Sequence, residues 1–368
     1  MTGPRFRPAA GEKSLAPDDR FFREEVGLAL RNRGMPLEAL DWDITPVTMH
    51  YLLVHFDVPR IDAGAWRLEI GGLVERPRAL SLAEMTARPA VTQPVTMECA
   101  GNGRALLSPR PVNQPWGVNA IGTAEWTGTP LGPLLDEAGV RDDAAELVFT
   151  GADAGVQGDE VQVYQRSLTP AEAMRSGVLL AWAMNGAPLE PPHGFPLRLI
   201  VPHWYGMTSV KWLARIDAVA EPFRGYQQAR SYRLSQSPDD PGEPVTLQRV
   251  RAVMRPPGIP DYATRARLVR PGRVALHGRA WAGRRAVARV EVSTDGGTSW
   301  SDAVLGARLG PYAWTGWNFG WDAAPGRHTL TCRATDSEGE VQPTAQAWTQ
   351  LGMANNMAQR IEVLVEAG

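Results

Sequence analysis

The sequence predicts an α+β domain followed by an immunoglobulin-like β-sandwich. With 368 residues, the chain is long enough for about two hydrophobic cores. Residues 41–244 mix strand-like and helix-like patterns, whereas residues 245–368 show regularly spaced apolar alternation without helical periodicity. Short strands separated by turn residues are typical of a sandwich. We therefore predict an N-terminal arm over residues 1–40, an α+β domain over 41–244 and a sandwich over 245–368.

The predicted elements of the first part of the chain are short. The arm is charged and weakly patterned, with one helical stretch near residues 18–30. Thr169 is placed to cap a helix, and Pro170 suits its first helical position. The strand-like segments are residues 66–71, 147–150 and 197–202, and the helix-like segments are residues 131–139 and 169–176.

The predicted sandwich contains strands with alternating apolar residues. Asp295, Gly296 and Gly297 predict a tight hairpin turn between two of them. Cys332 falls within a strand, where a cysteine behaves as a small apolar core residue. The strand-like segments are residues 273–281, 288–293, 329–335 and 359–365.

The composition argues against several classes of partner. The formal net charge is −2, with acidic and basic residues interspersed, so neither nucleic acid nor a membrane surface is an expected partner. The apolar runs are shorter than the ~20 residues that cross a bilayer. The first residues show no apolar export signal, and the chain has only two cysteines, which fits a reducing compartment. We therefore expect a cytoplasmic location.

Cys99 is the first candidate functional residue. It lies in the run Met-Glu-Cys-Ala-Gly-Asn-Gly-Arg, where Gly101 and Gly103 let the backbone turn tightly. The guanidinium of Arg104 favours thiolate over thiol. Such a thiolate suits a nucleophile or a soft ligand for a transition metal. The alternative is a small buried hydrophobic residue.

A second cluster combines His193, Arg198, Ser209 and Lys211 on short, proline-rich segments. These side chains can bind a phosphate through charge-assisted hydrogen bonds. The alternative for each of them is a solvated basic surface. The cluster gains weight when it is taken together with Cys99.

These segments resemble the sulfite oxidase family of molybdenum enzymes. The resemblance rests on CAGN at residues 99–102, MNGAPLEPPHGFPLRLIVP at 184–202 and SVKWL at 209–213. RVEVSTDGGTSW at 289–300 and the Trp314/Trp317 pair resemble the dimerisation domain of that family. The similarity extends from about residue 41 to the carboxy terminus.

The resemblance implies a cofactor and a role for each motif residue. Cys99 would be the single protein ligand to molybdenum, whose other sulfurs come from molybdopterin. Arg104 would orient an anionic substrate, Tyr232 would hydrogen-bond it, and Trp116 would form a wall of the pocket. The pterin and its phosphate would be held by His55, Asp153, His193, Arg198, Ser209 and Lys211.

Two departures from the family pattern bear on the substrate. Leu53 stands where the family has the arginine of an Arg-Asn-His run that ends here at His55, and Thr315 stands where we expect a second pocket arginine. Losing these cations removes charge-assisted hydrogen bonds, each worth roughly 1.5–3 kcal/mol. We expect weaker binding of small dianions such as sulfite. No Cys-x-x-Cys-His site is present, so we expect no haem, an external electron carrier such as a cytochrome, and a homodimer.

Three functions remain open from the sequence. The first is oxygen-atom transfer to a small sulfur compound, most simply sulfite to sulfate, with electrons passed to an external acceptor. The second is reduction of a sulfoxide or another oxygenated substrate with the same cofactor, which the missing arginines favour. The third is a non-enzymatic binding module built on the sandwich, which leaves Cys99 and the basic cluster unexplained.

Overall fold

The computed structural model describes residues 23–345 and 347–366. Helix α1 (Arg23–Ala29) lies within the helical stretch predicted near residues 18–30, of which residues 18–22 are outside the described residues. None of the helices in the described part of the chain is long and apolar enough to cross a membrane.

The end of the predicted arm is part of the core. Met35, Ala39 and Leu40 are buried against Trp281 and Trp314 of the second domain. These apolar side chains lose contact with water by packing there, so the last part of the predicted arm, residues 35–40, is held against the second domain.

The first domain contains most of the helices and three sheets, of which the smallest is the antiparallel pair of β11 and β12. The strands are β1 (Arg67–Gly72), β2 (Arg78–Ser81), β3 (Val91–Glu98), β4 (Ile121–Pro130), β5 (Glu146–Gln157), β6 (Glu160–Leu168), β7 (Leu179–Met184), β8 (Ala187–Pro188), β9 (Arg198–Ile200), β10 (Leu213–Val219), β11 (Arg233–Leu234) and β12 (Glu243–Pro244). The helices after α1 are α2 (Leu82–Thr86), α3 (Leu131–Ala138) and α4 (Pro170–Ala173). Short 3-10 turns cover Leu37–Asp41, Arg104–Leu106, Pro191–His193 and Gly206–Thr208, and a π-helical turn covers Gln227–Ser231.

One sheet has the order β2-β1-β10-β5-β6, and another has the order β3-β4-β7-β8 with β9 paired to β7. Strand β7 is buried on both faces. Leu180 packs with the first sheet and α3, whereas Leu179 and Ala181 pack in the cluster that contains Cys99. The second sheet therefore separates the main core of this domain from the environment of the cysteine.

The second domain is a sandwich of two sheets, as predicted. Its strands are β13 (Arg251–Met254), β14 (Ile259–Pro260), β15 (Arg267–Val269), β16 (Gly272–Trp281), β17 (Val287–Ser293), β18 (Ser301–Asp302), β19 (Val304–Arg308), β20 (Thr315–Ala323), β21 (Gly326–Asp336) and β22 (Arg360–Val365). One sheet has the order β13-β16-β20-β19 and the other β14-β15-β22-β21-β17-β18. Leu276 and Trp317 of the first face Val290, Leu330 and Cys332 of the second.

Two local predictions differ from the structure in extent. Helix α4 is only one turn long, although Thr169 caps it as predicted by accepting a hydrogen bond from the backbone N–H of Glu172 at 3.3 Å. The segment after β17 is a longer loop rather than a tight hairpin turn. The Asp295 carboxylate organises this loop by accepting hydrogen bonds from the backbone N–H groups of Thr298 and Ser299 at 3.0 and 2.9 Å.

Candidate functional site

Cys99 follows the last residue of β3 and begins a tight loop. Its N–H donates to Ala120 O at 2.9 Å, and its carbonyl accepts from Asn102 N at 2.9 Å. The N–H of Gly101 points at its Sγ at 3.4 Å. Only 7% of Cys99 is exposed. The loop therefore holds the sulfur in one place beneath the surface.

The loop is anchored to the second domain by a buried ion pair. Arg251 Nη1 lies 2.7 Å from Glu98 Oε1, and both side chains are 1% exposed. Asn102 Nδ2 donates to the same Glu98 oxygen at 2.9 Å, and Trp281 Nε1 donates to the other at 2.8 Å. The residue next to the cysteine is thus fixed by three donors, two of them from the sandwich.

The structure favours the protonated thiol of Cys99, whereas its sequence neighbours predicted a thiolate. Burial raises the pKa of its thiol, and the opposing influence of Arg104 does not cancel that effect. Because the interior disfavours the charged form, the free side chain is a thiol. A coordinating metal ion would deprotonate it outright.

Two cavities meet at Cys99. The first has a volume of about 70 Å³ and the second about 370 Å³. Leu53, His55, Cys99 and Tyr232 line both of them. The first cavity also collects six of the predicted cofactor residues, namely His55, Asp153, His193, Arg198, Ser209 and Lys211.

Arg198 supplies a deeply buried charge in the first cavity. Its Nη1 donates to His193 O at 2.8 Å and its Nη2 to Ser209 O at 3.1 Å, while the guanidinium lies 4.7 Å from the ring centre of Trp126. Burial lowers its pKa to about 10. No carboxylate forms an ion pair with Arg198 among the described residues. A buried cation without an acidic partner favours an anionic ligand.

Lys211 and Asp153 form a second polar group in this cavity. Lys211 Nζ donates to Leu53 O at 2.7 Å and Pro192 O at 3.0 Å. Burial, helped by the neighbouring Arg198, lowers the pKa of Lys211 to about 7, and burial raises the pKa of Asp153 to about 6. Asp153 lies where the pairing of β5 with β6 shifts register, which turns it out of the regular ladder.

Two histidines face each other with unused ring nitrogens. The rings of His50 and His193 are 6.0 Å apart at right angles. Burial lowers the pKa of His50 to about 4 and that of His193 to about 3, so both are neutral at pH 7. Nε2 of each ring has no hydrogen-bond partner within the described structure. Such buried polar atoms indicate a bound group that would satisfy them.

His55 and Ser209 contribute polar atoms at the cavity walls. His55 Nε2 pairs with Gln157 Oε1 at 2.9 Å, and burial lowers its pKa. Ser209 Oγ accepts a hydrogen bond from Val201 N at 3.1 Å. This hydrogen bond holds the loop that contains Ser209. Because Oγ acts as the acceptor, the hydroxyl can still donate its own hydrogen into the cavity.

Arg104 lies in the second cavity, between two glycines. A Cβ on Gly101 would come within 2.5 Å of its Nη2, and one on Gly352 within 2.6 Å of its Cγ. Its Nε donates to Leu351 O at 2.8 Å, its Nη1 to Gln114 O at 2.7 Å, and its Nη2 to the Met353 sulfur at 3.5 Å. The two glycines therefore make the slot that holds the guanidinium beside the cysteine loop.

Tyr232 and Trp116 also surround the cysteine. Tyr232 follows the π-helical turn, and burial together with Cys99 raises its pKa to about 12. The guanidinium of Arg166 lies 5.5 Å from the Tyr232 ring centre and donates to Gln227 O at 2.6 Å. Trp116 lines the second cavity. The hydroxyl of Tyr232 remains protonated at neutral pH and can donate to a ligand.

Thr315 does not line the substrate pocket, contrary to the prediction that it stands where a second pocket arginine is expected. Thr315 lies in β20 and lines a small separate cavity between the domains with His203 and Tyr312. The sandwich reaches the second cavity through Leu351 and Met353, in the loop before β22. This loop is not predictable from local sequence, because only the folded chain brings it next to residue 104. Further residues at the site carry no sequence motif that points to them, namely His50, Tyr51, Met97, Tyr164, Met207 and Arg166.

The first cavity fits an anionic, sulfur-bearing metal cofactor. It is lined by one thiol, one buried guanidinium without a carboxylate partner among the described residues, and imidazole nitrogens without hydrogen-bond partners. Cys332, the second cysteine, is buried in the sandwich core and contributes nothing here. The fold and site together are those of the molybdopterin oxidoreductase class, with the candidate cofactor cavity inside the α+β domain.

Comparisons with known proteins identify the family. Residues 55–227 match the family model for an oxidoreductase molybdopterin binding domain, and residues 260–366 that for a Mo-co oxidoreductase dimerisation domain. Sulfite oxidase of Gallus gallus is 34% identical over 330 residues, covering 84% of this chain and 71% of that protein. The chain belongs to the sulfite oxidase family of molybdopterin oxidoreductases.

Other relatives differ in their named reactions. Mitochondrial sulfite oxidase of Mus musculus is 34% identical over 88% of this chain, which spans 62% of that protein. A nitrate reductase of Hordeum vulgare is 33% identical over 88% of this chain and 39% of its own length. The solved structure of the sulfane dehydrogenase SoxCD from Paracoccus pantotrophus matches with a TM-score of 0.77 and 26% identity, covering 99% of this chain and 98% of that one.

Proposed function

We propose that this protein transfers an oxygen atom to a small sulfur compound, most simply sulfite, and passes the electrons to an external carrier such as a cytochrome. The observation that carries the proposal is the position of Cys99 between the cationic first cavity and the open second cavity. When bound, molybdopterin would supply the redox centre and the oxygen-transfer chemistry. The relatives named sulfite oxidase and sulfane dehydrogenase support a sulfur substrate.

The residues of the first cavity would hold the cofactor. Cys99 would be its only protein ligand through sulfur, and Arg198 and Lys211 would pair with its phosphate. The unused imidazole nitrogens of His50 and His193 are free to contact it as well. His55, Asp153 and Ser209 would line the pterin.

The residues of the second cavity would handle the substrate. Arg104 would attract a negatively charged oxygen, and the Tyr232 hydroxyl would donate a hydrogen bond to it. Trp116 would limit access on one side and exclude water. These actions need a neutral Tyr232, as described above, and a cationic Arg104, which is the ordinary state of a guanidinium.

Metal loading, cofactor content and turnover together test the proposal. We expect about one molybdenum and one molybdopterin per chain, and sulfite oxidation with ferricyanide as acceptor. Cys99→Ser should abolish turnover and retain most of the pterin, because Arg198 and Lys211 would still bind its phosphate. The matched control Cys332→Ser should keep its activity. A Cys99→Ser variant with near-normal activity would refute the ligand assignment.

A reductase of sulfoxides is the second candidate, and the apolar character of the second cavity favours it. Leu53, Leu351 and Met353 face this space, and neutral sulfoxides need no additional cation. The same protein would then be assayed in reverse, with reduced viologen dye as electron donor. Faster sulfoxide reduction than sulfite oxidation at equal enzyme concentration would establish this direction.

The sandwich would also form a homodimer. This proposal is supported by the match of residues 260–366 to a dimerisation domain. Multi-angle light scattering at micromolar concentration should report twice the mass of 40.1 kDa. A mass of one chain at that concentration would contradict it.

A further inference from the structure

Among the residues that the structure describes, the second cavity offers a single buried cation to its ligand. The described lining residues include three arginines and no acidic residue. Arg31 is exposed, and the Arg230 side chain is 63% exposed and paired with Glu160 at 2.8 Å. Arg104 is the buried one, and it lies at the inner end beside the cysteine loop.

Arg104 has little hydrogen-bonding capacity left for a ligand. Of its five N–H donors, three are directed at Leu351 O, Gln114 O and the Met353 sulfur. Two donors and one positive charge remain. The two donors can hydrogen-bond to two oxygens that share a single negative charge. A dianion would bring a second negative charge into the cavity, where it would lose its water without gaining a cationic partner.

Apolar side chains form part of the wall near the cysteine, together with neutral polar ones such as Tyr232. Leu53 and Leu351 approach from the two domains, with Met353 and Trp116 beside them. The cavity has a volume of about 370 Å³. Pockets for organic ligands occupy about 300–1,000 Å³, so this space is large enough for an organic substrate and exceeds what an inorganic oxyanion needs.

We propose that the substrate of this site is an organic sulfur monoanion of the sulfinate class with an apolar substituent, rather than an inorganic dianion. The proposal rests on the oxygen-transfer function above. One S–O bond forms with the oxygen of a water molecule, two protons pass to solvent, and two electrons pass singly to the external carrier. The sulfinate becomes a sulfonate. Arg104 holds the oxyanion, and Leu53 and Leu351 contact the substituent.

Equilibrium binding to the molybdenum-loaded protein tests the charge preference without turnover. We expect calorimetry to show benzenesulfonate, a product-like monoanion, binding more tightly than sulfate by on the order of ten- to a hundredfold. Equal affinities, or tighter binding of sulfate, would overturn the proposal.

A gain-of-charge variant assigns the preference to the apolar wall. Leu351→Arg should shrink the ratio of the two affinities by about tenfold or more, because it adds the missing cation. Leu53→Arg tests the opposite wall in case the first variant does not fold. The matched control Leu309→Arg, on an exposed loop outside the cavity, should leave the ratio unchanged. An unchanged ratio in both cavity variants would refute the role of these leucines.

Kinetics separate this proposal from the function on which it rests. We expect a lower Michaelis constant for benzenesulfinate than for sulfite with ferricyanide as acceptor. Oxidation of sulfite with no preference for the sulfinate would refute the substrate class and leave the oxygen-transfer function standing. If the protein binds the sulfonate more tightly than sulfate but oxidises neither sulfinate nor sulfite, the oxygen-transfer function is refuted. The preference of the pocket for an organic monoanion would still stand.

Discussion

Replacing Arg251 by methionine should destabilise the protein strongly. Arg251 is the cationic partner of Glu98, and both side chains are 1% exposed at a separation of 2.7 Å. Methionine keeps the apolar length of the side chain and removes the charge. The Glu98 carboxylate would then retain only its hydrogen bonds from Asn102 and Trp281.

The size of the effect follows from burial. Breaking a buried ion pair by removing one partner costs about 3–5 kcal/mol, because an uncompensated charge stays in the interior. An exposed pair is worth about 0–1 kcal/mol. Arg273 and Asp322 form such a pair on β16 and β20, with side chains 66% and 80% exposed. Arg273→Met is therefore the matched control, and it should cost less than about 1 kcal/mol.

Urea unfolding at pH 7, followed by tryptophan fluorescence, measures both variants. The change in free energy is taken from the midpoint with a common slope. Adding Glu98→Gln to Arg251→Met should restore at least about 1 kcal/mol, since the unpaired charge is then removed. A loss in Arg251→Met no larger than in Arg273→Met, or no recovery in the double variant, would refute the reasoning.

Three further predictions concern single residues. Cys332→Ser should cost about 1–3 kcal/mol in urea unfolding, because it places a hydroxyl in an apolar core; a neutral effect would mean that the hydroxyl finds a partner. Arg198→Ala should lose molybdopterin, measured by fluorescence of the oxidised pterin after release, whereas the exposed Arg215→Ala should not; equal content would contradict the phosphate contact. Asp295→Ala should lower the urea midpoint at pH 7, because hydrogen bonds from Ser299 hold the pKa of that carboxyl well below its usual range. That stabilisation is present above the unfolded pKa of about 3.9 and is lost as pH falls toward the folded pKa, so wild type and variant should converge at low pH; a constant difference would refute it.

Local sequence patterns predicted several of the longer elements, although β3, β4, β6, β7, β10 and β20 were not among them. Helix α3 and strands β1, β16, β17, β21 and β22 lie within a residue or a few of their predicted positions, because periodicity and turn residues act over short distances. The cap at Thr169 was predicted, but the length of helix α4 was not. Helix length depends on what the helix packs against, which a local pattern does not contain.

The sequence by itself determined which chemical groups are available at the site: one thiol in a turn, and a set of cations on two later segments. Tertiary structure decided what those groups can do. Burial, which raises the pKa of the Cys99 thiol, comes from side chains far away in the chain. Leu351, 247 residues away in the sequence, accepts a hydrogen bond from Arg104 and lines the pocket, whereas Thr315 lines a separate cavity. Desolvation and donor satisfaction depend on neighbours in space, and only the folded chain brings those neighbours together.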